Sequence, residues 1–296
     1  MATPLPSAPV APPLIPPPPL SELLTAPSVI LLGPSGAGKT DSLGELALHV
    51  RKLFVLITEP NGLEVLIDSF ERRKVPISKL HFHIVTPARA GFSGMVDLAK
   101  LVSVSTHESL SKQVPGSRQG AKFIEAMGVM ANFVCQRTGE TFGPIDKLPS
   151  DCAFALDSLS GLSVMAWDVT VGSKLTAHQG EWGVGMNLLE RALNALTSNL
   201  KCLFVLTSHI ERETDETTQG TKLMVSTLGR KLAPKVPRFF SEVVLSQMEN
   251  GSYFWNTISP SVDLKHRALP LASKIPVSFK PIVDKYNARL KALGGA

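Results

Sequence analysis

Lys39 and Thr40 close the run Gly33-Pro34-Ser35-Gly36-Ala37-Gly38-Lys39-Thr40, in which a glycine-rich turn is followed by an ammonium and a hydroxyl. Ser28-Val29-Ile30-Leu31-Leu32 ahead of it reads as a buried strand, and Asp41 to Val50 behind it reads as a helix. A flexible turn in that setting lets backbone N–H groups curl round a phosphate chain at a helix N-terminus. Lys39 is then expected to reach the β- and γ-phosphates of a nucleoside triphosphate such as ATP, and the Thr40 hydroxyl to ligate Mg²⁺. Such a site needs a second, metal-directed carboxylate at another strand end. Ala153-Phe154-Ala155-Leu156-Asp157 supplies it, and an acid there is costly unless it faces a cation or a helix N-terminus. Asp157 is therefore expected to join Thr40 on the metal, with a simple helix cap as the alternative.

The elements that must carry these groups alternate along the chain, which implies a parallel sheet covered on both faces. Strands are expected at Val29–Leu32, Leu53–Thr58, His81–Thr86, Cys152–Asp157 and Cys202–Ser208. Helices are expected near 39–51, 62–73, 94–110, 120–134, 159–170 and 184–200. Glu242–Met248 and Ser252–Ile258 read as strands joined at Asn250-Gly251, a strong hairpin signal. A last helix is expected from Pro281 to Leu293. The stretch 135–149 reads as an irregular insertion or a small hairpin.

Composition narrows the class. With 296 residues, 44% of them hydrophobic, the chain can bury a large core. No run is apolar enough to span a bilayer, and the start lacks the pattern of a secretory signal, so a cytoplasmic protein is expected. Cys135, Cys152 and Cys202 are too few and too dispersed for a disulfide framework or a four-ligand zinc site, and read as core thiols. Residues 1–27 hold ten of the 23 prolines and one charged residue, Glu22. Proline cannot enter helix or sheet interiors, so this stretch is expected to be an arm preceding a core at 28–296. The net charge of +5 is uneven: 16 basic and 17 acidic residues lie in 1–200, against 14 and 8 in 201–296. A basic final third is compatible with nucleic acid.

Two expected strands, at 53–58 and 81–86, separate the phosphate loop from Asp157. That count allows an extra strand between the two motif strands, as in the RecA and AAA⁺ branch of P-loop proteins. Ser158 follows Asp157 where AAA⁺ enzymes commonly place a glutamate, and the layout resembles the RecA family, whose base glutamate ends a neighbouring strand. The resemblance assigns Glu59, in Leu56-Ile57-Thr58-Glu59-Pro60, to orient and deprotonate the attacking water. It assigns His209 or Ser208, after Leu203–Thr207, to sense the γ-phosphate.

Several pieces together look like the bacteriophage-encoded single-domain RecA-like ATPases, also called phage nucleotide-binding AAA proteins. They are GPSGAGKT at 33–40, ITEP at 57–60, ALDSLSGL at 155–162, GEWG at 180–183, TSH at 207–209 and LGRKLAPKVPRFFSEVV at 228–244. The group includes annealing proteins that work on single-stranded DNA beside a single-stranded-DNA-binding protein, in the host cytoplasm. It implies a homo-oligomer with ATP at subunit interfaces, where Arg230, Lys231 or Lys235 would complete the neighbour's site.

DNA contact in RecA-like proteins comes from loops that here fall near 170–183 and 211–222. The first offers Lys174, His178, Gln179 and Trp182, which suit phosphate contact and base stacking. The second is acidic at Glu211, Glu213, Asp215 and Glu216, which opposes a phosphate backbone unless its acids turn away. DNA running along another surface stays open. The leading expectation is a DNA-stimulated ATPase that promotes annealing or recombination. A nucleotide-dependent scaffold or switch with slow turnover is the alternative. A small-molecule kinase ranks last, since no arginine-dense lid follows Asp157.

Overall fold

The computed structural model describes residues 24–88, 120–172, 177–214 and 221–294, with Leu20, Lys174 and seven positions between 91 and 100. Most of the arm at 1–27 and most of the helix expected at 94–110 lie outside the described residues.

Four largely apolar runs become the strands β1 (Ser28–Leu32), β2 (Leu53–Ile57), β6 (Ala153–Asp157) and β7 (Leu203–Ser208), and the alternating Leu-His-Phe-His-Ile becomes β3 (Leu80–Ile84). Every residue of β1, β2, β6 and β7 is buried. That pattern belongs to parallel strands with helices on both faces. With β10 (Glu242–Glu249), β11 (Ser252–Asn256) and β12 (Ile275–Pro276) they form one eight-stranded sheet in the order β12-β11-β10-β1-β7-β6-β2-β3. The strands from β10 to β3 run parallel, and β11 pairs antiparallel with both β10 and β12. The fold is therefore α/β, a mostly parallel sheet ending in an antiparallel hairpin. Asn250 (φ 51°) and Gly251 (φ 76°) make the turn of that hairpin, both left-handed as the dipeptide predicts.

Alternation along each strand divides the core into two layers. On one face Ile30, Leu32, Phe54, Leu56, Phe154, Leu156, Phe204 and Leu206 pack under three helices. These are α3 (Ala121–Ala131), α4 (Leu159–Val171) and α5 (Gln179–Asn199). On the other face Val29, Leu31, Val55, Ile57, Ala155 and Val205 pack under α1 (Lys39–His49), α2 (Gly62–Arg72) and, after the short helix α6 (Val236–Phe239), α7 (Lys280–Ala292). Each such leucine, isoleucine or phenylalanine contributes about 1.5–3 kcal/mol by leaving water. The three cysteines are buried and free.

Between α3 and β6 the chain forms the small antiparallel hairpin β4 (Phe133–Val134) and β5 (Thr141–Gly143). A second hairpin, β8 (Ile210–Thr214) with β9 (Thr221–Val225), leaves the C-terminal end of β7. The sequence reads this segment as a loop. Its strands carry Glu211, Arg212, Glu213 and Lys222, and the alternation of charge with apolar residues is too weak to announce a pleat. No helix among the described residues is long and apolar enough to cross a membrane.

Candidate functional site

Because β7 pairs with β1 on one side and β6 on the other, three strand ends open on the same edge of the sheet, with β2 beside β6. In open α/β sheets that carboxyl edge is where ligands collect. The loop from Gly33 to Gly38 leaves β1 and enters α1 there. Gly36 (φ 76°) and Gly38 (φ 80°) adopt left-handed backbone that other residues resist. At Gly33 a Cβ would stand 2.5 Å from the Ser246 carbonyl oxygen, and at Gly38 it would stand 2.6 Å from the Tyr253 ring. Ser246 Oγ also donates to the Ala37 carbonyl at 2.7 Å. The β10–β11 hairpin thus braces the loop from outside, and neither Ser246 nor Tyr253 carries a motif that would disclose it. The only sequence signal was the Asn-Gly turn that folds Tyr253 back.

Lys39 is buried and donates from Nζ to the carbonyls of Gly33 (2.9 Å) and Pro34 (2.8 Å). Burial lowers its pKa, against the attraction of Asp157 and Glu59. Thr40 Oγ1 donates to Asp157 Oδ2 at 2.9 Å, and Thr207 Oγ1 donates to Asp157 Oδ1. Asp157 lies deep in the protein, and desolvation raises its pKa, with the Thr207 and Thr40 hydrogen bonds pulling the other way. A buried carboxyl group with the Thr40 hydroxyl beside it is a set of oxygen ligands suited to a divalent cation. Thr207 was missed by sequence reasoning, which stopped at the two residues after it.

The tips of β2 and β6 are locked together. Thr58 Oγ1 donates to the Ser158 carbonyl at 2.7 Å and accepts from the Ser158 N–H at 2.8 Å. At Gly161 a Cβ would fall 2.4 Å from Thr58 Oγ1, so only glycine lets α4 start this close to β2. The lock sets Glu59 beside β6, where Ser158 Oγ donates to Glu59 Oε1. His209 Nε2 lies 3.2 Å from the same oxygen, and His209 Nδ1 lies 3.5 Å from Lys39 Nζ. The His209 hydrogen bond, then Ser158 and the charges of His209 and Lys39, hold the Glu59 carboxyl below its ordinary range despite partial burial.

The structure therefore brings Lys39, Thr40, Asp157, Glu59 and His209 to one strand edge. Ser208 is turned away, its hydroxyl donating to the His209 carbonyl at 3.1 Å and the Ser226 carbonyl at 3.4 Å. Arg230 is 91% exposed and faces Glu213 at 3.7 Å, Lys231 is exposed, and Lys235 pairs with Glu190 at 3.0 Å. Among the described residues no hydrogen bond or ion pair ties these three to the glycine-rich loop. Of the proposed DNA loops, Trp182 lies in the first turn of α5, 40% exposed, with its ring 3.9 Å from that of Trp167. Lys174 pairs with Glu181. Two acids of the second segment are engaged, Glu211 by Ser226 Oγ at 2.6 Å and Glu213 by Arg230, while Asp215 and Glu216 lie outside the described residues.

No protein-family model and no curated protein matches the chain. Solved structures with a similar chain path include ATPases. A prototypical ATPase from the type III secretion system of pathogenic bacteria aligns over 75% of this chain and 52% of its own, at 12% identity and a TM-score of 0.41. The assembled ATPase EscN from the type III secretion system of enteropathogenic E. coli aligns over 74% and 42%, at 11% identity and a TM-score of 0.35. The ATP synthase subunit NeqB from Nanoarcheaum equitans aligns over 75% and 45%, at 8% identity and a TM-score of 0.35. The chain spans about half the length of these proteins. At such similarity they bear on the path of the chain alone.

Proposed function

We propose that the protein binds ATP with Mg²⁺ at the Gly33–Thr40 loop and hydrolyses it, coupled to handling of single-stranded DNA. The observation that carries this reading is the convergence of an ammonium, a hydroxyl–carboxyl pair and a carboxylate–imidazole pair on one sheet edge. The backbone N–H groups from Ser35 to Gly38 and the Lys39 ammonium bind the phosphates, so Lys39 exchanges its carbonyl partners for phosphate oxygens. Thr40 and Asp157 hold the metal. When bound, Mg²⁺ neutralises charge on the β- and γ-phosphoryl oxygens.

Glu59 accepts a proton from the attacking water, as an ionised carboxylate kept so by its partners. His209 orients that carboxylate and, standing between it and Lys39, responds to whether a γ-phosphate is in place. As the residue that opens the way to β8, it passes the response into the β8–β9 hairpin. Arg230 and Lys231, free of the glycine-rich loop of their own chain, act on the nucleotide of an adjoining copy in a homo-oligomer. A cation there stabilises charge in the transition state by roughly 10³–10⁵ in rate.

The exposed ring of Trp182, backed by the partly buried Trp167, supports single-stranded DNA as the partner, since an exposed aromatic stacks unpaired bases without regard to sequence. Annealing or recombination in phage DNA metabolism, beside a single-stranded-DNA-binding protein, is the setting proposed. ATP turnover measured with and without single-stranded DNA tests the reading. It requires stimulation by DNA and loss of turnover in Lys39→Ala. Tight ATP binding with no turnover in either condition would instead make the protein a nucleotide-dependent switch.

A further inference from the structure

A sizeable cavity lies away from the strand edge that holds Lys39, where β1 and β10 begin. It has a volume of about 400 Å³ and is lined by the chain entering β1, by the α6–β10 junction, by residues 265–268 and by one face of α7. Five cationic side chains converge on it: Arg238, Lys265, Arg267, Lys285 and Arg289. Glu242 is the one acid in the lining, and it is 1% exposed. Both of its oxygens accept from the Arg267 N–H, at 2.9 and 3.0 Å, and Oε1 also accepts from the Ala268 N–H at 2.7 Å. Its charge is thus spent on backbone amides within the wall. Lys285 donates to the Arg267 carbonyl, and Arg238, Lys265, Arg267 and Arg289 have no carboxylate partner among the described residues. The 27 residues that precede β1 bring only one acid, Glu22.

Elsewhere on this protein surface several cations are matched, Arg51 with Asp151, Arg72 and Arg73 with Asp41, Lys235 with Glu190 and Lys280 with Asp284, while others such as Lys74, Arg191, Arg212 and Lys231 carry no ion pair among the described residues. What distinguishes the hollow is that four cations without a carboxylate partner line one cavity. Like charges so gathered repel one another unless a multivalent anion joins them. Three of the four, Arg238, Arg267 and Arg289, are exposed and long, unlike the fixed inward donors that grip a single small metabolite. Such a set suits a flexible polyanion held by release of its counterions.

We propose that this basic hollow is a binding surface for the phosphodiester backbone of single-stranded nucleic acid, at the opposite end of the sheet from the ATP site. The inference rests on the DNA-handling function proposed above and gives that function its second surface. It also accounts for the acidic β8–β9 hairpin: that end of the molecule contributes stacking rings and few free cations, while phosphate contact is made at the far end. A strand held here leaves its bases facing outward, available to a complementary strand.

The test is binding of a fluorescein-labelled oligothymidylate across a salt series from about 50 to 200 mM. Three proteins are compared: wild type, the triple variant Arg238→Gln/Arg267→Gln/Arg289→Gln, and a control with the same charge change, Lys74→Gln/Lys122→Gln/Lys147→Gln. Losing three single-strand phosphate contacts should lower the slope of log K against log salt by about 2 and weaken binding on the order of 10²-fold at 50 mM. The control should keep the wild-type slope, and both variants should bind ATP as wild type does. A hollow variant with wild-type slope and affinity would overturn the inference while leaving the DNA-handling function intact. Equal weakening in both variants would also overturn it, since the effect would then be net charge alone. Absence of oligothymidylate binding by wild type would remove both.

Discussion

The imidazole of His209 stands between two groups of opposite charge, 3.2 Å from a Glu59 carboxylate oxygen through Nε2 and 3.5 Å from Lys39 Nζ through Nδ1. The hydrogen bond to His209 is the largest influence holding Glu59 ionised below the ordinary glutamate range. In His209→Ala the Glu59 pKa should therefore rise. A general base acts only when deprotonated, so with Glu59 in the proposed role the acid limb of the kcat profile should move to higher pH. We expect kcat near neutrality to fall about 10-fold, with KM for ATP little changed. A pH–rate profile checks this; an acid limb that stays in place would show that the contact does not tune Glu59.

Asp157 is held by hydroxyls from two sides, Thr40 and Thr207. Asp157→Asn should keep the fold, since the amide oxygen can accept from one hydroxyl while its NH2 donates to the oxygen of the other. It should raise the Mg²⁺ concentration needed for half-maximal nucleotide binding by at least about 10-fold, because a charged ligand is gone. Thr207→Val should do the same more weakly, by freeing the carboxyl to turn. An unchanged Mg²⁺ titration in Asp157→Asn would dissociate that residue from the metal.

Close packing of α1 on α2 sets the angle at which the glycine-rich loop enters its helix. A Cβ at Gly44 would fall 2.1 Å from Ser69 Oγ and 3.2 Å from the Ser69 carbonyl carbon. Ser69 Oγ in turn donates to the Asp41 carbonyl at 2.6 Å, and Arg73 pairs with the Asp41 carboxylate at 2.7 Å. Gly44→Ala should cost about 2 kcal/mol, read as a lower urea midpoint with little change in slope. Adding Ser69→Gly should recover part of that loss, making the double variant more stable than the two single effects would sum to.

His81 is buried with neither ring nitrogen hydrogen-bonded, stacked 5.2 Å from Phe54 and edge-on 4.5 Å from Phe142. Desolvation first, then Lys52 and Arg137, push its pKa down to about 4, with Glu140 opposing. The folded state thus holds the ring neutral where the unfolded chain, at about 6.5, binds a proton. Stability should be insensitive to this group above pH 6.5, fall as pH drops through that value, and level off below about 4. The full loss is about 3 kcal/mol. Urea melts of His81→Phe between pH 7.5 and 5 should show less acid destabilisation than wild type; equal losses would exclude His81 as the source.

How much of this was legible follows from period and spacing. Solid apolar runs such as Leu53–Ile57 and Ala153–Leu156 announce strands buried on both faces, and their edges fell within a residue or two of expectation. The helix expected from 184 begins at Gln179, because the capping pair of His178 and Glu181 is a local cue that apolar periodicity does not register. Lys39, Thr40 and Asp157 were visible because their chemistry depends on near neighbours in the chain. Thr207, Ser246 and Tyr253 were not, since they reach the site only through sheet order, with β7 and β10 flanking β1. The basic hollow is of the same kind. Arg238, Arg267 and Arg289 are scattered in sequence, and only the return of α7 to the start of β1 gathers them.

The central claim is that Glu59 activates water against a nucleotide held by Lys39, Thr40 and Asp157. Its most direct test is Glu59→Gln, with ATP affinity and single-turnover hydrolysis measured on the same preparation. The amide keeps the size of the side chain and can still accept from Ser158, but it cannot take a proton. Wild-type ATP affinity with hydrolysis reduced about 10²- to 10⁴-fold is the predicted result. Hydrolysis at the wild-type rate would contradict it.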